Sequence, residues 1–272
     1  MIEVVTLTVT TDPSQIAAVL DRLVEADPVR ATVLGSIVAD VRSGRSTEPW
    51  CAVRPGTDAL VIRSERQYPA LFTSGWDGAD LAAAVDLVRG LPDLRGVSGP
   101  AEIVEVAATR LARGRPPRRR GLRLFRLDGL RAPTDVPGDA RAATGADRSL
   151  IVDWYNAFSH EADVLPTDLG EAADHALRSG RVWLWFDGGR PVSLAARRAA
   201  QGGSCRLGPV YTPPEHRGQG YGSAVTAAAT REVLDLGAIP VLFTDLDNPT
   251  SNKIYQRLGY YAVEDRVQVT FG

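Results

Sequence analysis

The chain has 272 residues, 44% of them hydrophobic and 24% charged, with a formal net charge of −2. That length fits one large domain or two ordinary ones, with enough apolar surface for a core. The near-zero charge argues against wholesale binding to nucleic acid or a membrane surface. The two cysteines, Cys51 and Cys205, are too far apart for a metal motif or a disulfide framework. They read as small buried apolar residues in a reducing compartment. The opening MIEVVTLTVT has no basic region or long apolar run, so no secretory leader is read from it. No segment approaches the ~18 apolar residues of a membrane span. The cytoplasm is the expected location, with no metal site.

The first half opens with a strand, EVVTLTV, after which Asp12 and Pro13 cap a helix running to about Glu25. Ile16, Val19, Leu20 and Leu23 share one face of that helix. A second helix is expected over Val29 to Arg42, followed by strands at WCAVR, ALVIRS and ALFTSG. Asp77 or Asp80 begins a third helix, and Ala101 to Arg113 forms a fourth. The basic run RGRPPRRR (113–120) lacks interleaved aromatics and reads as a solvated loop. LRLFRLDGL (122–130) alternates and is a strand. RAPTDVPGDA (131–140) interrupts both periodicities and divides residues 1–132 from residues 139–272.

In the second half, a short strand at Asp139 to Ala143 precedes a helix over residues 146–162. Thr167 or Asp168 caps the next helix, which ends near Gly180. Strands follow at 181–187, 191–200 and 205–212. Trp183 and Trp185 on the first of these read as core. A helix then runs to about Leu236, IPVLFTD is an apolar strand, NPTSNKIYQRLG a short helix, and YYAVEDRVQVTF a closing strand.

The informative stretch is PPEHRGQGYGSA (213–224), lying between a strand and a helix. Free N–H groups and the positive end of the helix dipole converge on such a loop, which suits a phosphate. Glycines at 218, 220 and 222 let the backbone approach the anion, and Arg217 adds a charge-assisted contact. The stretch lacks the GK[ST] of a Walker loop, and its GxGxG spacing late in the chain fails the dinucleotide fingerprint. A purely structural turn is the remaining alternative.

VYTPPEHRGQGYGSA resembles motif A of the GNAT N-acetyltransferase superfamily, with Arg217, Gly220 and Gly222 at its fixed positions. NPTSNKIYQRLGYY resembles the second signature of that family, with Asn248, Ser251, Tyr255, Gly259 and Tyr260 in register. The resemblance covers residues 139–272 and implies a GNAT fold, an α/β (α+β) architecture with a mixed central sheet flanked by helices. Residues 1–132 loosely repeat the element order without the motif, suggesting two tandem GNAT-like halves, the first degenerate. Its expected job is to shape the acceptor cleft or complete the sheet.

The implied activity is transfer of an acetyl group from acetyl-CoA to a small-molecule or peptide amine. The alternative is a non-catalytic acyl-CoA-binding or sensor module, and a homodimer is left open. The resemblance places the donor on Val210, Tyr211, Thr212, Arg217, Gly218, Gln219, Gly220, Tyr221, Gly222, Ser223, Asn248, Ser251 and Tyr255. A backbone N–H of the strand ending at Thr212 would polarise the thioester carbonyl. Tyr255 is either the acid for the departing thiolate or an aromatic on a buried helix face. Asn248 contacts the donor, caps its helix, or both. The strand CRLGPVYT lacks the glutamate many family members use as base, so Asp245 is the candidate, unless it caps the next helix. His160, Glu161 and Asp163 offer mixed polarity where the acceptor is expected, or belong to a solvated loop. Arg197 and Arg198 either meet an anionic acceptor or mark a strand end.

Overall fold

Asp12 accepts hydrogen bonds from the N–H groups of Ser14 and Gln15, at 2.8 and 3.1 Å. Pro13 occupies the first turn, where its missing N–H costs nothing. Helix α1 (Pro13–Ala26) therefore starts where the sequence places it. The computed structural model describes residues 6–112, 116–162 and 169–271. The expected opening strand begins within residues 1–5, outside the described residues, and its described part is β1 (Thr8–Thr10). Thr167 and Asp168 also lie outside them.

Two units divide the chain: Met1–Leu124 with Thr244–Pro249 and Ala262–Gly272, and Phe125–Phe243 with Thr250–Tyr261. In the first unit the sequence forms α2 (Thr32–Arg42), β2 (Trp50–Val53), β3 (Leu60–Arg63), β4 (Ala70–Phe72), α3 (Gly78–Arg89), β5 (Gly96–Pro100) and α4 (Ala101–Leu111). Two long strands pass from one unit to the other, β6 (Arg118–Leu127) and β12 (Tyr260–Thr270). The sheet of the first unit runs β1-β2-β3-β4-β5-β12, with β4 and β5 parallel.

Period-2 alternation sends successive residues to opposite faces. Cys51, Leu60 and Ile62 pack with Ile16, Leu20, Leu34 and Val38 of α1 and α2. Ala52, Val61 and Phe72 pack with Leu81, Val85, Val104 and Ala107 of α3 and α4. Ile16, Leu20, Leu60 and Ile62 are fully enclosed, each contributing roughly 1.5–3 kcal/mol relative to exposure.

The second unit contains β7 (Asp139–Ala142), α5 (Arg148–Glu161), α6 (Leu169–Arg178), β8 (Val182–Asp187), β9 (Arg190–Arg197), β10 (Ser204–Tyr211), α7 (Tyr221–Asp235), β11 (Ile239–Asp245) and α8 (Pro249–Arg257), the last two beginning or ending outside it. Its strand order is β6-β11-β10-β9-β8-β7. β10 and β11 are parallel, while β7, β8, β9 and β10 are successively antiparallel. Leu194 packs with Ile151, Tyr155 and Ala173 of α5 and α6. Its neighbour Ala195 faces the other way, toward Val225, Ala229, Val233 and Tyr255 of α7 and α8. A mixed sheet flanked by helices is thus the architecture, as the sequence implies.

The halves of the sequence exchange their last strands. Phe125 and Leu127 of β6 belong to the core of the second unit. Arg266–Thr270 of β12 pair with Pro100–Gly96 of β5 in the first. β5 is the strand that the expected element order has between the third and fourth helices, there without bounds, and Arg118–Arg120 form strand rather than loop. Arg119 pairs with Glu105, Arg120 with Asp245 and Arg123 with Asp265, at 3.2, 2.8 and 2.6 Å. Trp183 and Trp185 are only partly buried: their indole N–H groups donate to Glu232 Oε2 at 2.7 Å and Pro137 O at 2.8 Å. The polar tip keeps each ring at the edge of the core.

Candidate active site

β10 and β11 run in register from Ser204↔Ile239 to Leu207↔Leu242, and there the pairing stops. Gly208 to Tyr211 continue along β9 alone, with an irregularity between Leu207 and Val210. The Gly208–Pro209 peptide is cis. Proline lacks the N–H a two-sided strand needs, so the sheet parts at this end. Val210, Tyr211 and Thr212 stand at the split.

Pro214–His216 then make one 3₁₀ turn, and Gly220 enters α7 with φ +85°. Gly218 has φ +79°. No side chain caps α7, and its first backbone bond is Ala224 N–H to Gly220 O, 3.0 Å. The N–H groups of Gly218, Gln219, Gly220, Tyr221, Gly222 and Ser223 therefore have no acceptor among the described residues. A run of unpaired donors at the positive end of a 15-residue helix is a site for an anion.

The three glycines divide their labour differently from the sequence-based expectation. A Cβ at Gly220 would stand 2.8 Å from Val136 Cγ2, and one at Gly222 would stand 3.2 Å from Thr212 Oγ1. At Gly218 a Cβ would meet nothing within 4 Å. Two of the glycines thus serve the loop's own packing, and only Gly218 borders open space.

Side chains tie the loop to its surroundings. Arg217 donates from Nε to Thr212 O at 2.9 Å and from Nη2 to Glu161 Oε2 at 2.6 Å. Its guanidinium carbon lies 5.9 Å from the Tyr211 ring centre. The Tyr211 hydroxyl donates to Glu161 Oε1 at 3.2 Å, and burial, then the Glu161 charge, push that phenol's pKa up. Ser193 Oγ donates to Tyr211 O at 3.0 Å and shares a hydrogen bond of 2.8 Å with Thr212 Oγ1. Tyr221 is buried, its hydroxyl bound to Asp187 and to Gln219 Oε1. Sequence reasoning missed Val136, Asp187 and Ser193. Only Asp187, a charge ending an apolar strand, offered a signal.

Tyr255, on α8, packs against Phe125 and Tyr260, with ring centres 6.3 and 6.2 Å apart. Val210 packs on the same core cluster. The Tyr255 hydroxyl makes no hydrogen bond among the described residues, and burial pushes its pKa up to about 12. It keeps its proton at any physiological pH. Ser251 shares the helix.

Asp245 and Asn248 fall in the first unit. Asp245 Oδ2 accepts from Arg120 Nε at 2.8 Å and its Oδ1 from Asp247 N–H at 2.9 Å. Asn248 N–H donates to Asp245 O at 3.1 Å. Arg197 is not turned to a ligand: it grips Glu232 at 2.9 and 2.7 Å, which raises its pKa. Asp163 lies outside the described residues.

In the first unit, the start of α3 is closed by its own carboxylates. Asp77 caps α3, accepting from Asp80 N–H at 3.2 Å. Arg54 pairs with Asp77 at 2.9 Å and with the buried Asp80.

Across almost its whole length this architecture is similar to a GCN5-related N-acetyltransferase from Sphaerobacter thermophilus, with a TM-score of 0.63, 16% identity, and 97% of this chain and 95% of that one covered. The chain carries the GNAT fold. Residues 185–269, which hold the split strand, the loop and α8 of this GNAT fold, match the family model described as FR47-like protein. Among curated proteins, the chain is 29% identical over 164 residues to the mycothiol acetyltransferase of Saccharomonospora viridis, covering 53% of this chain and 50% of that protein. It is 26% identical over 270 residues to the mycothiol acetyltransferase of Arthrobacter sp. strain FB24, covering 87% and 74%. The chain thus spans about half the length of the first of these relatives. Among its described residues, no helix is long and apolar enough to cross a membrane.

Proposed function

We propose that the chain is an acetyl-CoA-dependent N-acetyltransferase acting on a small-molecule or peptide amine. The observation that carries this reading is the run of unpaired N–H groups from Gly218 to Ser223 at the N-terminus of α7. Those amides fit the diphosphate of coenzyme A, with Arg217 beside them. The donor would bring an acetyl group already activated as a thioester. The unpaired edge of β10 at Val210 and Tyr211 offers backbone groups to the pantetheine arm and a dipole to the carbonyl oxygen. Tyr255 holds the proton that a leaving thiolate requires. Ser251, on α8, would add to the donor contacts. Two buried, unpaired cysteines fit a reducing, cytoplasmic setting.

A non-catalytic acyl-CoA-binding module is the second reading, favoured by the commitment of Asp245 to Arg120 and Asp247. Both oxygens of that carboxylate are already engaged within the protein. Two measurements separate the readings: calorimetric titration with CoA, and release of free thiol from acetyl-CoA across a panel of primary amines. CoA binding with amine-dependent thiol release supports transfer. Binding without release from any amine supports the module, and no binding overturns both. In the enzyme, Tyr255→Phe should lower turnover by on the order of 10²-fold while leaving CoA affinity in place.

A further inference from the structure

Glu161 ends α5 and brings a carboxylate to the split end of the sheet, where β10 itself carries none. Both of its oxygens are engaged, one by the neutral Tyr211 hydroxyl and one by the Arg217 cation. The Arg217 and Glu161 side chains are about half exposed, 48% and 47%, so the pair is open to exchange. Arg217 also borders the unpaired amides, the place an anionic donor must occupy.

We infer that Glu161 is the group that binds the acceptor's ammonium, and that donor binding makes it available. This rests on the donor reading of the loop given above. In the free protein, Glu161 stands in for the donor's phosphate at Arg217. When Arg217 turns to a phosphate, Glu161 keeps, among the described residues, only the phenol of Tyr211 and loses its cationic partner. A primary amine, whose ordinary pKa is about 10.4 in a lysine side chain, arrives as a cation and fills that vacancy. The same exchange discriminates against anionic acceptors.

The exchange makes two predictions of opposite sign for Glu161→Gln. Removing the internal competitor should tighten CoA binding, by about two- to five-fold if the pair has the strength usual for exposed ion pairs. Calorimetry with CoA reads this without any turnover. The same substitution should raise the KM of the best amine from the panel at least ten-fold without raising that of acetyl-CoA, and Glu161→Asp should restore part of it. Unchanged or weaker CoA binding by Glu161→Gln overturns the exchange, and an unchanged amine KM overturns the acceptor role. Loss of the underlying donor reading looks different: there the unsubstituted protein fails to bind CoA. If that protein binds CoA but turns over no amine, the transfer reading is what fails.

Discussion

Replacing Gly220 with alanine separates the two demands placed on this glycine. With φ at +85°, an L-residue there incurs roughly 1–2 kcal/mol of backbone strain. Its Cβ would also stand 2.8 Å from Val136 Cγ2, well inside the ~3.5–4.0 Å of a favourable carbon contact. Moving a branched side chain aside typically costs about 1–3 kcal/mol. Gly220→Ala should therefore destabilise the second unit by about 2–5 kcal/mol, a large share of the ~5–15 kcal/mol a domain has. In a Val136→Ala background the steric part disappears, so adding Gly220→Ala there should cost only about 1–2 kcal/mol. Urea unfolding followed by tryptophan fluorescence can resolve this, since Trp154, Trp183 and Trp185 all lie in that unit. An unfolding midpoint unchanged by Gly220→Ala, or no relief from trimming Val136, would refute the packing argument. Gly218→Ala is the control: its φ is +79° but its Cβ meets nothing within 4 Å. It should incur only the backbone part, and should weaken CoA binding beyond what that loss of stability explains.

Two further outcomes follow from the geometry. Arg141 grips Asp147 at 2.8 Å through both guanidinium nitrogens and holds its pKa at about 2, below the ordinary 3.8. That stabilisation is complete above about pH 4 and is lost as pH falls toward 2. Solvent screening of the half-exposed pair reduces its worth, so Asp147→Asn should lose about 1 kcal/mol at pH 7 in denaturant titrations, and less in acid. Calorimetry should also find one CoA per chain, because carboxylates already occupy the start of α3; a stoichiometry of two would show that Asp77 and Asp80 can be displaced.

The glycine turn that opens α7 and the helix caps were legible because their signals are local. Asp12 sits beside the amides it caps, and the glycines near 220 sit beside the helix they open. What escaped depends on partners far along the chain. GVSGP has no apolar alternation to give it bounds as a strand, yet it is β5 because β12 closes against its backbone; a side chain at Gly96 would run into the Val269 carbonyl. RRR reads as a solvated run until Asp245, 125 residues beyond Arg120, supplies its counter-charge. Glu161 was legible as polarity near the acceptor, but its bond to Arg217 spans 56 residues and no local pattern announces it. The division of roles among the three glycines was hidden for the same reason, since Val136 is remote from the motif.

The exchanged end strands set an order on biosynthesis. Everything that forms the first unit up to β5 is made before the strand that covers β5, Arg266–Thr270. Until β12 is made, that edge offers unpaired N–H and C=O groups to any extended segment nearby. The first unit cannot complete its sheet until β12 arrives. Cutting the sequence at its midpoint would yield two pieces, each missing a strand that the other holds.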